Sequence, residues 1–312
     1  MANPLTPRAP RVNLSTNVAQ VSLRSPVLTA SGTAGHGDEL AGYGDLAQLG
    51  AVVVKSLAAF AWAGNRAPRV GAVGEAMINS VGLSGPGVVA WREKELPALR
   101  ARGANVVGSI WGRSVDEFEA AAALMRGADV AALEVNASCP NLESRSTIFA
   151  HSTSMTAEIV AAAKTAQLPL WVKLSPNTPA LVEIAQAALE AGASALVLVN
   201  TLLGLAIDVE ARRATLGNGG GGVSGPGLLP VSLRAVYECR AAFPDAGIVG
   251  VGGVTRGADA IAMAMAGADA VEVGTATFSN PRAPWLIQRE VERWMTRHAV
   301  STWRELRGVA HE

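Results

Sequence analysis

Along the chain, short runs of β-branched and apolar residues alternate with longer stretches in which apolar positions recur at helical spacing among Ala, Leu and charged residues. The short runs lack an apolar/polar alternation, which predicts strands covered on both faces rather than strands with one wet face. They fall at 26–30, 51–55, 105–109, 132–136, 169–174, 195–200, 247–251 and 270–274. The intervening stretches predict helices at 39–49, 88–102, 115–126, 155–165, 179–191, 230–242, 257–266 and 284–298. Eight strand–helix units in strict alternation predict a parallel sheet closed into a TIM (β/α)8 barrel, one domain over residues 1–312. A doubly wound open sheet is the alternative. Two connections, 56–87 and 202–230, exceed the usual loop length of about 15 residues and are expected to roof the mouth of the barrel.

A barrel of this kind carries its chemistry where strands end and loops begin. Here those ends are polar. The first strand leads into Ala30-Ser31-Gly32-Thr33, the second into Lys55-Ser56, and the fourth into Asn136-Ala-Ser-Cys139-Pro-Asn141. The fifth leads into Lys173-Leu-Ser-Pro-Asn177, the sixth into Asn200-Thr201, and the last two into Gly250-Val-Gly252-Gly253 and Gly274-Thr275.

Charge narrows the partners. Lys plus Arg and Asp plus Glu each number 26, so no net field draws the chain to nucleic acid or to an anionic membrane. Small ligands are expected instead. The first eleven residues hold no apolar signal segment, and no apolar run approaches the roughly 18 residues of a membrane span, so the expected location is cytoplasmic. The two cysteines, Cys139 and Cys239, give neither a disulfide framework nor a cluster spacing, and His36, His151, His298 and His311 show no metal-ligand spacing. No metal is expected.

Glycines after the seventh and eighth strands suit an oxyanion, because amides without a neighbouring Cβ can converge on a phosphate. The plainer reading is that they permit tight turns. Gly217-x-Gly219-x-x-Gly222 matches a dinucleotide fingerprint literally, but without its flanking strand and helix it is expected to be a flexible loop. Lys55 and Lys173 would sit inside the mouth, where a buried ammonium is costly unless paired. They are either functional or ion-paired to core carboxylates such as Glu134 or Glu272. Cys139, next to Pro140 beyond a strand end, is placed to act as a nucleophile or base rather than as a small core residue.

Taken together, these segments resemble class 1 dihydroorotate dehydrogenases, from about Val12 to about Arg282. The resemblance rests on residues 26–33, Val54-Lys-Ser56, Asn136-Ala-Ser-Cys-Pro-Asn141, Val172-Lys-Leu-Ser-Pro-Asn177, Asn200-Thr-Leu-Leu-Gly204, Ser224-Gly-Pro226 and Val273-Gly-Thr-Ala276, in the family's order. It is strongest to the class 1B catalytic subunit, which passes electrons to NAD through a separate iron–sulfur FAD subunit. The quinone-reducing class 2 carries Ser where this chain has Cys139. The resemblance implies FMN held by Ala30, Ser31, Gly32, Lys55, Ser56, Asn136, Lys173, Gly225, Gly252, Gly253, Gly274 and Thr275. It implies a substrate site of Lys55, Asn79, Gly82, Leu83, Asn136, Asn141, Asn200 and Thr201. Catalysis is carried over to Cys139 as base, with Lys55 and Lys173 in support, oxidising (S)-dihydroorotate to orotate on the route to UMP. A homo-oligomer is also implied.

Two departures bear on the substrate. Where the family usually has Asn this chain has Gly85, and residues 142–147 lack the glycines common there. They keep open an orphan FMN oxidoreductase acting on another dihydropyrimidine or a small enone. A lysine-dependent aldolase, with Lys173 or Lys55 forming a Schiff base, and a non-catalytic binding barrel are the readings from other classes.

Overall fold

A computed structural model of the chain describes residues 12–138 and 149–311. The eight predicted strands all form: β1 Val27–Thr29, β2 Val52–Val53, β3 Val106–Ile110, β4 Ala132–Asn136, β5 Leu170–Lys173, β6 Ala195–Leu198, β7 Gly247–Val251 and β8 Ala270–Val273. They pair in parallel in chain order from β2 through β8 and back to β1. Three hydrogen bonds join β1 to β2. Gly50 N–H donates to Val27 O (2.8 Å), Thr29 N–H donates to Ala51 O (3.2 Å), and Val53 N–H donates to the Thr29 hydroxyl (3.0 Å). A side chain thus supplies one rung of the seam, and the structure is a (β/α)8 barrel rather than an open sheet.

The helices are α1 Val88–Ala101, α2 Val115–Met125, α3 Thr153–Ala163, α4 Leu181–Ala191, α5 Leu229–Ala242, α6 Gly257–Ala266, α7 Ala276–Ser279 and α8 Ala283–Arg297. Each follows its strand except in the first unit, where the helix expected at 39–49 does not form. Two 3-10 turns, Glu39–Gly42 and Leu46–Gln48, stand there instead. Gly42 and Gly44 weaken the helix between them, and extended Asp45 starts the second turn by accepting from Ala47 N–H. A Cβ at Gly44 would also collide with the Trp285 ring of α8. Helix α7 was not anticipated.

Strand alternation divides the core into two. One set of residues packs against the helices, and the other fills the barrel, including Leu28, Val53, Val107, Trp171, Val197 and Val249. Val18, Val21 and Leu23 join the inner set from a hairpin of Thr16–Val18 and Val21–Leu23, which plugs the end opposite the mouth. Over the mouth the two long connections meet in one four-stranded antiparallel sheet, ordered Leu202–Gly204, Gly221–Ser224, Ala76–Asn79, Val70–Val73. The expected roof is therefore present. The glycine segment expected to be a flexible loop instead supplies a strand of that roof from Gly221 onward, because Gly221 and Gly222 lie so close to Asn79 and Thr201 that side chains there would collide. Among the described residues no helix is long and apolar enough to cross a membrane.

Thr29 is fully buried, so Thr29→Val should leave the Val53 N–H without an acceptor at the seam. The expected loss is about 1–3 kcal/mol, read as a lower denaturant midpoint at unchanged slope. An unchanged midpoint would mean that the seam does not need this bond.

Candidate active site

The strand ends and the roof enclose a cavity of about 1010 Å³. This lies at the upper end of the roughly 300–1,000 Å³ range for small-molecule and cofactor sites. Every described residue that the sequence nominated lines it. Ala30, Ser31 and Gly32 come from β1, Lys55 and Ser56 from β2, Asn136 from β4 and Lys173 from β5. Asn200 and Thr201 follow β6, Gly252 and Gly253 follow β7, and Gly274 and Thr275 follow β8. Asn79, Gly82, Leu83 and Gly225 close it from the long connections. Cys139, Asn141 and the 142–147 segment lie outside the described residues. Sequence reasoning missed the apolar side of the cavity, where Val70, Met77, Leu228, Phe278, Leu286 and Ile287 contribute. Its only sequence signal was the set of apolar positions in the long connections and in the α7 and α8 segments.

One chain of hydrogen bonds fixes the polar wall. Asn200 Nδ2 donates to Ser138 Oγ (2.8 Å), which donates to Asn136 Oδ1 (3.1 Å), and Asn136 Nδ2 donates to Ser56 Oγ (3.0 Å). Ser56 Oγ meets Ser109 Oγ at 2.9 Å, and Ser109 donates to Glu134 Oε1 at 3.1 Å. Ser31 joins at Ser56 (3.2 Å). Such a network orients amides and hydroxyls from five strand ends before any ligand arrives. Thr275 is held likewise by Ser224 (2.8 Å), and Asn177 bonds Thr201 O (3.0 Å) and Leu203 N (2.8 Å), tying the end of β5 to the roof.

The two lysines differ. Lys173 lines the cavity yet is 4% exposed, with Nζ 3.0 Å from Glu272 Oε2 and 3.6 Å from Glu134 Oε2. Burial alone would lower its pKa, but the two carboxylates outweigh burial and raise it. Glu272 is pushed up to about 8, by burial first and by Glu134 second, against the pull of Lys173. The ion-paired reading of Lys173 is correct, and it makes the lysine a fixed cation rather than the neutral amine that a Schiff base requires. Lys55 has no carboxylate in salt-bridge range among the described residues and donates to Ser84 Oγ at 3.1 Å. Its pKa is lowered, mainly by burial and then by Arg69.

Backbone shape explains the glycines in part. At Gly252 and Gly253 φ is +117° and +78°, and a Cβ would collide with Ser232 and Leu229 where α5 begins. Both glycines are thus required by the turn itself, as the plainer reading held, while the same turn forms the cavity wall. Gly32, at φ +87°, would point a Cβ into open space. Gly85 does not line the cavity: a Cβ there would sit 2.9 Å from His36 Nε2. The imidazole of His36 thus occupies the space that a side chain at 85 would need, behind Ser84 and Lys55.

The family described as dihydroorotate dehydrogenase matches this sequence over residues 13–295. Proteins named "Dihydroorotate dehydrogenase B (NAD(+)), catalytic subunit" are similar over almost their whole length. That of Alkaliphilus metalliredigens is 43% identical over 299 residues, covering 96% of this chain and 99% of its own. That of Desulforudis audaxviator is 43% identical over 303 residues, covering 96% and 98%, and that of Trichlorobacter lovleyi 42% over 290, covering 92% and 95%.

His36 carries a test of this geometry. Its pKa is lowered to about 4, by burial first and then by the Lys55 charge, with Glu39 opposing. The folded value lies below the ordinary 6.5, so the stability linked to neutral His36 is present above pH 6.5 and is lost as pH falls through 4. Urea unfolding at pH 7, 5.5 and 4 should show this acid loss in the wild type and a smaller one in His36→Phe. Parallel losses in both proteins would assign the acid limb to other groups.

Proposed function

Because this chain belongs to the dihydroorotate dehydrogenase family, whose members are oxidoreductases of CH–CH donors, we propose that it oxidises (S)-dihydroorotate to orotate with FMN held in the barrel mouth. The observation that carries the reading is the meeting, in one cavity, of a fixed cation, glycine turns beside two strand ends and a fan of asparagine amides.

The residues present fit a flavin nucleotide. Gly252, Gly253, Gly274 and Thr275 lie after the last two strands, a common phosphate position in such barrels. Ala30, Ser31, Gly32, Ser56, Asn136 and Gly225 offer hydroxyls, an amide and bare backbone to a planar ring, and the open space at Gly32 leaves room for it. Lys173 presents a cation that keeps its proton. FMN would supply the hydride acceptor.

The chain's own residues then bind, orient and deprotonate. Asn79, Asn136, Asn141 and Asn200 suit the donor and acceptor edge of a pyrimidine, with Gly82, Leu83 and Thr201 beside them, and Lys55 offers charge to the substrate carboxylate. Cys139, three positions beyond the end of β4, takes the C5 proton at its sulfur as hydride leaves C6. A thiolate suits that task because its ordinary pKa, about 8.5, lies near ambient pH. With FMN bound, Lys173 would supply positive charge to stabilise a reduced, anionic flavin.

Electrons must then leave the site. The relatives bear the name of a catalytic subunit linked to NAD(+), and this chain has two cysteines and, among the described residues, no cluster able to hold a metal. A separate iron–sulfur FAD subunit is the proposed route to NAD.

An anaerobic titration of the FMN-loaded chain tests the reading. Dihydroorotate should bleach the flavin, and dihydrouracil and dihydrothymine, which lack the carboxylate, should do so far more slowly. Faster bleaching by the uncharged rings would support the orphan oxidoreductase instead. Cys139→Ala should keep its flavin and slow reduction by at least about 100-fold, the scale of a lost general base. Reduction at the wild-type rate would move the base elsewhere.

A further inference from the structure

Three strands carry ionisable side chains into the buried interior of the barrel. Glu134 of β4 and Glu272 of β8 are both fully buried, and Lys173 of β5 stands between them at 3.6 Å and 3.0 Å. With all three ionised the cluster would carry a net charge of −1. Among the described residues no second cation lies within salt-bridge range of either carboxylate. The flanking wall positions are Ser109 and Trp171 beside Glu134, and Val251 and Leu28 beside Glu272. Val53 and Val197 belong to the same inner packing. Ser109 is a hydroxyl that donates to Glu134 Oε1.

The other ionisable groups of the described cavity are engaged or remote. Lys55 donates to Ser84, Glu290 accepts from Gly257 N–H, and Glu75 is exposed in the roof. Within the interior, Glu134 Oε2 and Glu272 Oε1 are buried with no hydrogen-bond partner among the described residues. Two carboxylates sharing one buried cation, each with an unbonded oxygen, form the arrangement in which one proton is retained, because like charges in a low-dielectric site cannot both ionise cheaply.

We propose that Glu134 and Glu272 together hold one proton against Lys173, so that the floor of the cavity is electrically neutral near neutral pH and becomes negative when that proton departs to solvent. Resting on the flavin reading above, this makes the pair a positioning device for charge. A neutral floor leaves Lys173 free to favour electron density on the ring, and a negative floor opposes it. By linkage, reduction of the ring holds the proton more tightly.

Infrared spectroscopy of the flavin-free chain carrying ¹³C-carboxyl glutamate tests the proton directly. At neutral pH a label-sensitive stretch of a protonated carboxyl is expected, lost as the pH is made alkaline. It should vanish in Glu272→Gln and equally in Glu134→Gln, since either change leaves one carboxylate for one lysine. In flavin-loaded protein both variants should match the wild-type midpoint potential at pH 7 and exceed it at alkaline pH. Absence of the labelled band from wild-type protein at neutral pH overturns the proposal, as does its survival in both variants. If either variant fails to fold, the wild-type titration and the other variant decide. The infrared result does not depend on flavin, so a chain that shows the band but binds no FMN would refute the functional reading and leave the shared proton standing.

Discussion

The barrel is tied across its interior by one ammonium group. Lys173 rises from β5, Glu134 from the adjacent β4, and Glu272 from β8, three strands away, so the contact with Glu134 runs along the wall while the contact with Glu272 crosses the lumen. An ammonium in a dry core is tolerated only with such partners, and removing one partner costs more than the pair contributes. Its place at the inner end of the mouth is therefore fixed by the carboxylates. The site above inherits a cation held in place by two carboxylates, which also raise its pKa.

From that point order spreads outward through hydrogen bonds. Glu134 receives Ser109, Ser109 meets Ser56, and Ser56 receives Asn136, whose carbonyl receives Ser138, itself the acceptor for Asn200. Glu134 lies within β4 and the others at or just beyond a strand end, where pleating turns alternate side chains into the barrel. The amides proposed to read a pyrimidine edge are set by the same chain of contacts that ends on the carboxylate partner of Lys173. Roof strands from two distant connections then cover the mouth, with Asn79 on one and Thr201 just before another.

Much of this was legible in the sequence because it follows from period and position. Continuous apolar runs announced eight buried strands, and polar residues at their ends announced the mouth. The apolar spacing of residues 39–49 conceals Gly42 and Gly44, which end the helix, the second of them packed against Trp285. The plug of Val18, Val21 and Leu23 was invisible because three-residue strands carry too short a pattern. The cavity's apolar side is hard to read from the sequence, since it comes from residues of the roof, the turn before α5, α7 and α8 brought together by long-range packing. Gly85 was read as the loss of a polar group, whereas the space a side chain there would need is occupied by His36, a contact between positions far apart in the chain.

The cavity above Lys173 is proposed as a flavin site with a substrate position beside it. A crystal structure of the chain grown with FMN and orotate tests this most directly. The phosphate is expected against Gly252, Gly253, Gly274 and Thr275, the ring facing Lys173, and orotate among Asn79, Asn136 and Asn200. A flavin seated outside this cavity, or a ring turned away from Lys173, would contradict it.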